Sequence, residues 1–205
     1  EYTITVATGG NGSVKVTSEN NTTGVTATSS STNQTITARY GEKISATATP
    51  NSGFKFSSWS SGLSGSTNPA SLTVSASVTI KGSFTDNSAP TCSFGSFSPT
   101  STMKGSTATI TLTCTDNVGV VTDTLTSSSF TISNTSAISI SSITSSAVSG
   151  GYKYVLTIIG GDSNASSTIS LKAGSVKDAV GNSNAAVTSP SITNIVDQSG
   201  PEITF

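Results

Sequence analysis

Apolar and polar residues alternate along most of the chain, the period of strands with one buried face. Tyr2, Ile4 and Val6 share one face of the opening segment, and Val14 and Val16 share one after the turn Gly9-Gly10-Asn11-Gly12. Glycine there permits the positive φ of a tight hairpin turn. The alternation runs on through Ile36 and Ala38, breaks at Tyr40-Gly41-Glu42, and resumes in Ile44, Ala46 and Ala48. A further turn at Pro50-Asn51-Ser52-Gly53 leads to Phe54, Phe56 and Trp59, and Val74, Val78, Ile80 and Phe84 close the stretch. Residues 19–35 are rich in Asn, Thr and Ser and read as a long loop or a weak hairpin.

The second half predicts seven strands, over residues 91–95, 106–115, 120–132, 136–143, 152–159, 167–173 and 185–195. An internal repeat sets its limits. Residues 86–94 read DNSAPTCSF and residues 197–205 read DQSGPEITF, an ungapped match at an offset of 111 residues. That offset is the usual length of an immunoglobulin-like sandwich with its linker. The expected organisation is all-β, with a small β domain over residues 1–85 and an immunoglobulin-like β-sandwich over 86–196. Residues 197–205 would open the next unit of a tandem array.

Composition changes the picture in two ways. Of 205 residues, 43 are Ser and 36 are Thr, which could describe a disordered stalk. The ordered alternation argues for a folded chain instead, because threonine is β-branched and suits a half-exposed strand. The second change is by exclusion. Without His there is no Ser-His-Asp or Cys-His site and no His-ligated metal. A net charge of -1 with one Arg offers no basic surface to nucleic acid. The four Glu (Glu1, Glu19, Glu42, Glu202) form no acidic pair in a predicted cleft, as two-carboxylate glycoside hydrolysis would need. The expectation is a non-catalytic chain that requires no cofactor. No apolar run approaches the roughly 20 residues of a membrane span. The opening strand has no signal-peptide pattern, so targeting information is expected outside this segment.

Three of the six Asp could meet. With strands running up and down in turn, the linker residues Asp86 and Asn87, the loop residues Asp116 and Asn117, and the later loop residues Asp178 and Asn182 fall at one pole of the second unit, beside the first. Such oxygens suit a structural Ca²⁺ that stiffens the junction. The same strings are ordinary turn sequences, since Asx side chains cap turns and Gly and Asn tolerate the left-handed region. Asp197, with Asp162, could serve the next junction in the same way. Cys92 and Cys114 are placed by antiparallel strands at one pole, where a disulfide or two buried thiols would fit. A bridge would imply an oxidising, extracellular setting. Trp59 could stack on a sugar ring or fill a small core, and Tyr152 and Tyr154 run in step with Leu156 and Ile158, a core-facing pattern. Lys104 or Lys172 could crosslink to an Asn of the last strand, although no motif fixes the pair. Six Asn-x-Ser/Thr sequons follow from so much Ser and Thr and receive no function.

Two resemblances follow from longer strings. The first is carried by YGEKISATATPNSGFKFSSWSSG, then STNPASLTV and VTIKGSF. It resembles the bacterial extracellular repeat related to the B repeats of internalin, through Tyr40, Gly41, Glu42, Pro50, Gly53, Phe54, Phe56, Trp59, Asn68, Pro69 and Phe84. The match covers about residues 2–85, and the insertion at 19–35 departs from compact members. The resemblance implies a secreted or surface protein without catalysis of its own, and leaves open a β-grasp-like fold or a small sandwich. The second lies in Ala173-Gly174, Asp178, Gly181-Asn182 and the stretch Asp197 to Pro201, which are similar to the closing region of bacterial Ig-like repeats in large surface adhesins. Together they imply a stalk or spacer of a secreted or surface-anchored bacterial repeat protein, with a role in adhesion. Its partners would be neighbouring repeats and an unidentified host or cell-wall ligand, and it would be a monomer. The alternative from another class is a carbohydrate-binding accessory module of a secreted polysaccharide-degrading enzyme, which an exposed aromatic strip would favour.

Overall fold

A computed structural model describes residues 1–28 and 33–197. These are strands and loops, with one short 3-10 turn at Ser127–Ser129. The chain divides into two compact units between Asn87 and Ser88. The repeat expected to open at residue 197 falls, from residue 198 onward, outside the described residues.

The first unit has eight strands: β1 (Tyr2–Thr8), β2 (Gly12–Ser18), β3 (Val25–Ala27), β4 (Gln34–Ala38), β5 (Lys43–Pro50), β6 (Phe54–Ser60), β7 (Ala70–Thr73) and β8 (Val78–Asp86). They form two four-stranded sheets, ordered β4-β1-β8-β6 and β3-β2-β5-β7. The first and last strands pair in parallel, Ile4 opposite Val78 and Val6 opposite Ile80, and every other pairing in the unit is antiparallel. Two sheets over one core make this a small sandwich, which resolves the choice that alternation left open. The alternation does the inward sorting. Val14 and Val16 are buried while Lys15 between them is exposed, and Ile4, Val6, Ile44 and Ile80 are sealed from solvent. Each such side chain contributes about 1.5–3 kcal/mol by burial. Close packing also fixes Gly82, because a Cβ there would lie 2.7 Å from Val14 Cγ2. The segment read as loop or weak hairpin contributes β3, which pairs with β2 and brings Ala27 into the core. Residues 29–32 lie outside the described residues.

The second unit has ten strands: β9 (Thr91–Phe94), β10 (Ser101–Met103), β11 (Thr107–Thr115), β12 (Phe130–Ile132), β13 (Ile138–Val148), β14 (Gly151–Gly160), β15 (Ala165–Ser167), β16 (Ile169–Leu171), β17 (Val187–Thr188) and β18 (Ile192–Ile195). One sheet runs β13-β14-β11-β9 and another β12-β16-β17, with a small third, β10-β18-β15. Counted as seven strands, the first two sheets divide as ABED and CFG, the partition of a constant-type immunoglobulin sandwich. Leu112, Tyr154, Leu156, Ile158, Ile169, Leu171 and Ile192 are fully buried in its core.

The seven predicted strands need correction where the chain changes sheet. The one expected over 120–132 keeps only Phe130–Ile132, because 121–126 lacks apolar alternation and crosses as irregular chain. The strand expected over 167–173 shortens to β16, which pairs with β12 and β17, while β15, ending at Ser167, precedes it and pairs with β18. The one expected over 185–195 breaks at Ser189-Pro190. Proline has no N–H to give a ladder, and Ser189 bridges the gap by accepting the Ile169 N–H at 2.9 Å on its hydroxyl. The pattern missed β10 altogether, a three-residue strand made by parallel pairing with β18.

Serine and threonine on these strands pair across the ladder. The Ser170 and Thr188 hydroxyls stand 2.7 Å apart and those of Ser166 and Thr193 2.9 Å apart. Such cross-strand pairs each contribute a few tenths of a kcal/mol to the sheet, and they let a surface with few charges satisfy its polar groups.

Candidate functional site

The loop that follows β11 carries Asp116, and the one that precedes β17 carries Asp178. At Asp116 the chain leaves β11, and Oδ1 accepts the Val118 N–H at 2.9 Å, an Asx turn. Asp178 is 2% exposed. Its Oδ1 accepts the N–H groups of Val180, Gly181 and Asn182 at 2.8, 2.6 and 2.9 Å. Its Oδ2 accepts the Asn182 side-chain N–H at 2.7 Å. Gly181 takes φ 97° in this turn, a conformation that favours glycine. The two loops are stitched by an antiparallel bridge of Val120 with Asp178 and by the Val121 N–H donating to Lys177 O at 2.9 Å. One carboxylate oxygen of Asp116 and one of Asp178 therefore come within 4.8 Å of each other.

Of the sequence-selected residues in this unit, the fold thus brings together Asp116, Asp178 and Asn182, while Asn117 is exposed beside Asp116. Asp86 and Asn87 belong to the first unit. Asp86 ends β8 opposite Phe54 and is 3% exposed, and the Asn87 N–H donates to Gly53 O at 2.8 Å. Asp162 forms an ion pair with Lys104 at 2.7 Å in which both side chains are largely exposed. That pair holds the lysine's pKa above its usual value. Lys172 donates from Nζ to Ser128 O at 2.7 Å. The chemistry at Asp116 and Asp178 is turn capping by carboxylate oxygens, in a geometry whose oxygens could also face a hard cation.

Cys92 and Cys114 are bonded as a disulfide. They are cross-strand partners in β9 and β11, with Cα atoms 4.1 Å apart. The aromatic side chains point inward. Trp59 is 3% exposed and donates from Nε1 to Thr67 O at 2.7 Å, with the Phe56 ring 4.8 Å away. Tyr154 is buried, its hydroxyl donates to Thr122 O, and burial pushes its pKa up to about 12. Tyr40, at the turn between β4 and β5, is by contrast largely exposed.

One residue that the sequence placed in a turn and in the repeat motif, without a structural role, ties the first unit together. Glu42, at the start of β5, is buried among polar partners. Its Oε2 accepts the Arg39 N–H at 2.8 Å and its Oε1 the Asn20 N–H at 3.0 Å. The Arg39 N–H first, then the Ser18 hydroxyl and the Asn20 N–H, draw its pKa down to about 2. The carboxylate thereby ties the turn before β5 to the loop after β2. The signal lay in the string Tyr40-Gly41-Glu42, an acid placed where a turn leaves backbone N–H groups without strand partners. Asn68 acts similarly on β5, accepting the Ala48 N–H at 2.9 Å and donating to Ala48 O at 2.8 Å.

Residues 20–88 match the family described as divergent InlB B-repeat domain. The match begins after β1 and β2, yet both strands are integral to the unit, since β1 lies between β4 and β8 and β2 between β3 and β5. No curated protein and no solved structure matches the chain significantly. No helix among the described residues is long and apolar enough to cross a membrane.

Proposed function

We propose that this chain is a non-catalytic spacer of a bacterial secreted or surface-anchored repeat protein, holding other modules away from the cell and contributing to adhesion by that display. The observation that carries this reading is the pairing, in one chain, of a B-repeat-type unit with a second unit that has a complete core of its own. A chain of self-contained cores gains length by adding units. The ABED/CFG partition, with Asp178 and Gly181-Asn182 building its closing loop, supports assigning the second unit to the bacterial Ig-like repeats of surface adhesins. The disulfide supports an oxidising, extracellular location.

The test is replacement within the parent protein. Exchanging this chain for two unrelated sandwich units of equal length should preserve adhesion, whereas deleting it should reduce it. Loss of adhesion on the exchange would show a specific ligand-binding role, and retention of an insoluble polysaccharide by the isolated chain would favour the carbohydrate-binding alternative.

The spacer reading includes a structural Ca²⁺ held by Asp116 and Asp178. An ion bound by the folded state alone stabilises by about 2.7 kcal/mol at a hundredfold excess over Kd. A melt in millimolar Ca²⁺ that exceeds the melt in EGTA, with the gain lost in Asp116→Asn, supports the ion; coincident melts leave both aspartates as turn caps. Asp86→Asn in the same titration shows whether the linker contributes a ligand.

A further inference from the structure

The edge of a sheet presents a row of unpaired N–H and C=O groups, and proteins guard such edges by keeping them short or by placing charge or proline on them. Among the described residues, nine of the ten edge strands follow that rule. They run from two residues in β17 to seven in β6. The longest of them, β6, carries Lys55, and its Trp59 N–H already donates to Gly65 O at 2.8 Å. The exception is β13. It has eleven residues, ISISSITSSAV, with neither charge nor proline. A bulge between Ile140 and Ser142 interrupts its N-terminal part, after which Ser142 to Val148 stand in regular register against Thr157 to Gly151 of β14. Thr144 to Val148 are all exposed. Beside the strand lies an open groove of about 210 Å³, lined by Leu125, Thr126, Ser127, Ile140 and Ile143 among others.

We infer that β13 is a pairing edge for a second copy of this chain, joined antiparallel to its own β13 about a two-fold axis near Ser145. The inference goes beyond the spacer reading and does not rest on it. A main-chain ladder is what the edge can recognise. Its charge decides the occupant: an acidic or basic peptide finds no complementary charge over Ile138–Val148, whereas the run meets itself without repulsion. The two-fold makes the contact self-complementary and closes it at a dimer. It joins two four-stranded sheets into one of eight, and sets Ile143 of each copy opposite Ala147 of the other. In place of the monomer expected from the sequence, the chain would associate sideways.

Sedimentation equilibrium of the 205-residue chain from micromolar to millimolar concentration tests this. The expected result is a monomer–dimer equilibrium, together with amide-exchange protection of Ile143–Val148 that rises with concentration. Ser145→Lys, which sets two lysines side by side at the axis, should weaken the dimer about tenfold or more, while Ser145→Thr should leave it intact. Thermal melts of both variants check that the fold is retained, and a Lys variant that fails to fold is replaced by Ser146→Lys, also exposed. A monomer at every concentration overturns the proposal. So does a dimer that survives the lysine, or one whose concentration-dependent protection falls on another strand.

Discussion

The two units hold their β cores by different means. The first has no cysteine and a core of small residues, Ala27, Ala38, Ala46 and Ala48, set around Val, Ile and the single Trp59. Its loops are tied by polar side chains: Glu42 gathers N–H groups from two loops, and Asn68 pairs with both backbone groups of Ala48. The second has larger aliphatic residues, a buried Tyr154 and a covalent tie between β9 and β11. Its closing strands lean on Asn184, whose Oδ1 accepts the Val176 N–H at 2.7 Å and whose Nδ2 donates to Ala185 O at 2.7 Å. In a chain with few charges, the carboxylates and carboxamides that matter most are spent inside, as brackets where strand bonding lapses.

The comparison can be broken most forcefully at the cores. Trp59→Ala removes a 3%-exposed ring and its bond to Thr67 O, and should cost the first unit about 3–5 kcal/mol. Denaturant unfolding followed by far-UV circular dichroism should show the transition of the second unit unmoved. Next comes the covalent tie. Cys92→Ala with Cys114→Ala opens a loop of sequence separation 22 and should cost the second unit about 3 kcal/mol. Trp59 fluorescence, which reports the first unit alone, should keep its midpoint in that variant. Asn184→Ala leaves the Val176 N–H and two carbonyls without their partner, and should cost about 2 kcal/mol, again in the second unit.

The smallest effects are those of pH, and they separate the units by sign. Glu42 has its pKa drawn from 4.5 down to about 2 on folding. Its contribution is present above pH 4.5 and is lost as pH falls toward 2, so the first unit should lose stability over that window in acid melts, and Glu42→Gln should remove that part of the dependence. Tyr154 has its pKa raised from 10 to about 12, so the unfolded chain gives up its proton first. The second unit should therefore lose stability as pH rises from 10 toward 12, and Tyr154→Phe should remove that slope.

Much of the β content was legible because period two survives in short stretches: Val14 and Val16, Ile44 to Ala48, and Ile110 to Cys114 all face inward as their alternation requires. Two antiparallel strands of readable length placed Cys92 and Cys114 at one pole, but a bridge and two buried thiols both fitted there, and the structure bonds them. What the sequence hid were elements made by their neighbours. Strand β10 exists because β18 offers it a parallel ladder, and β3 because β2 offers it the edge opposite β5. The loop carboxylates were legible as turn formers. That Asp178 would gather three N–H groups, or that Glu42 would tie two loops, depends on where distant backbone donors come to rest.

The amino-acid order by itself determined the fold class, the inward faces of the longer strands and the exclusion of His-based chemistry, because alternation and residue type are local properties. Tertiary structure alone decided which sheet each short strand joins, which acidic groups meet, and which sheet edge stays long and uncharged. Those depend on pairings between segments far apart in the chain, where a backbone donor finds its acceptor only once the cores have closed.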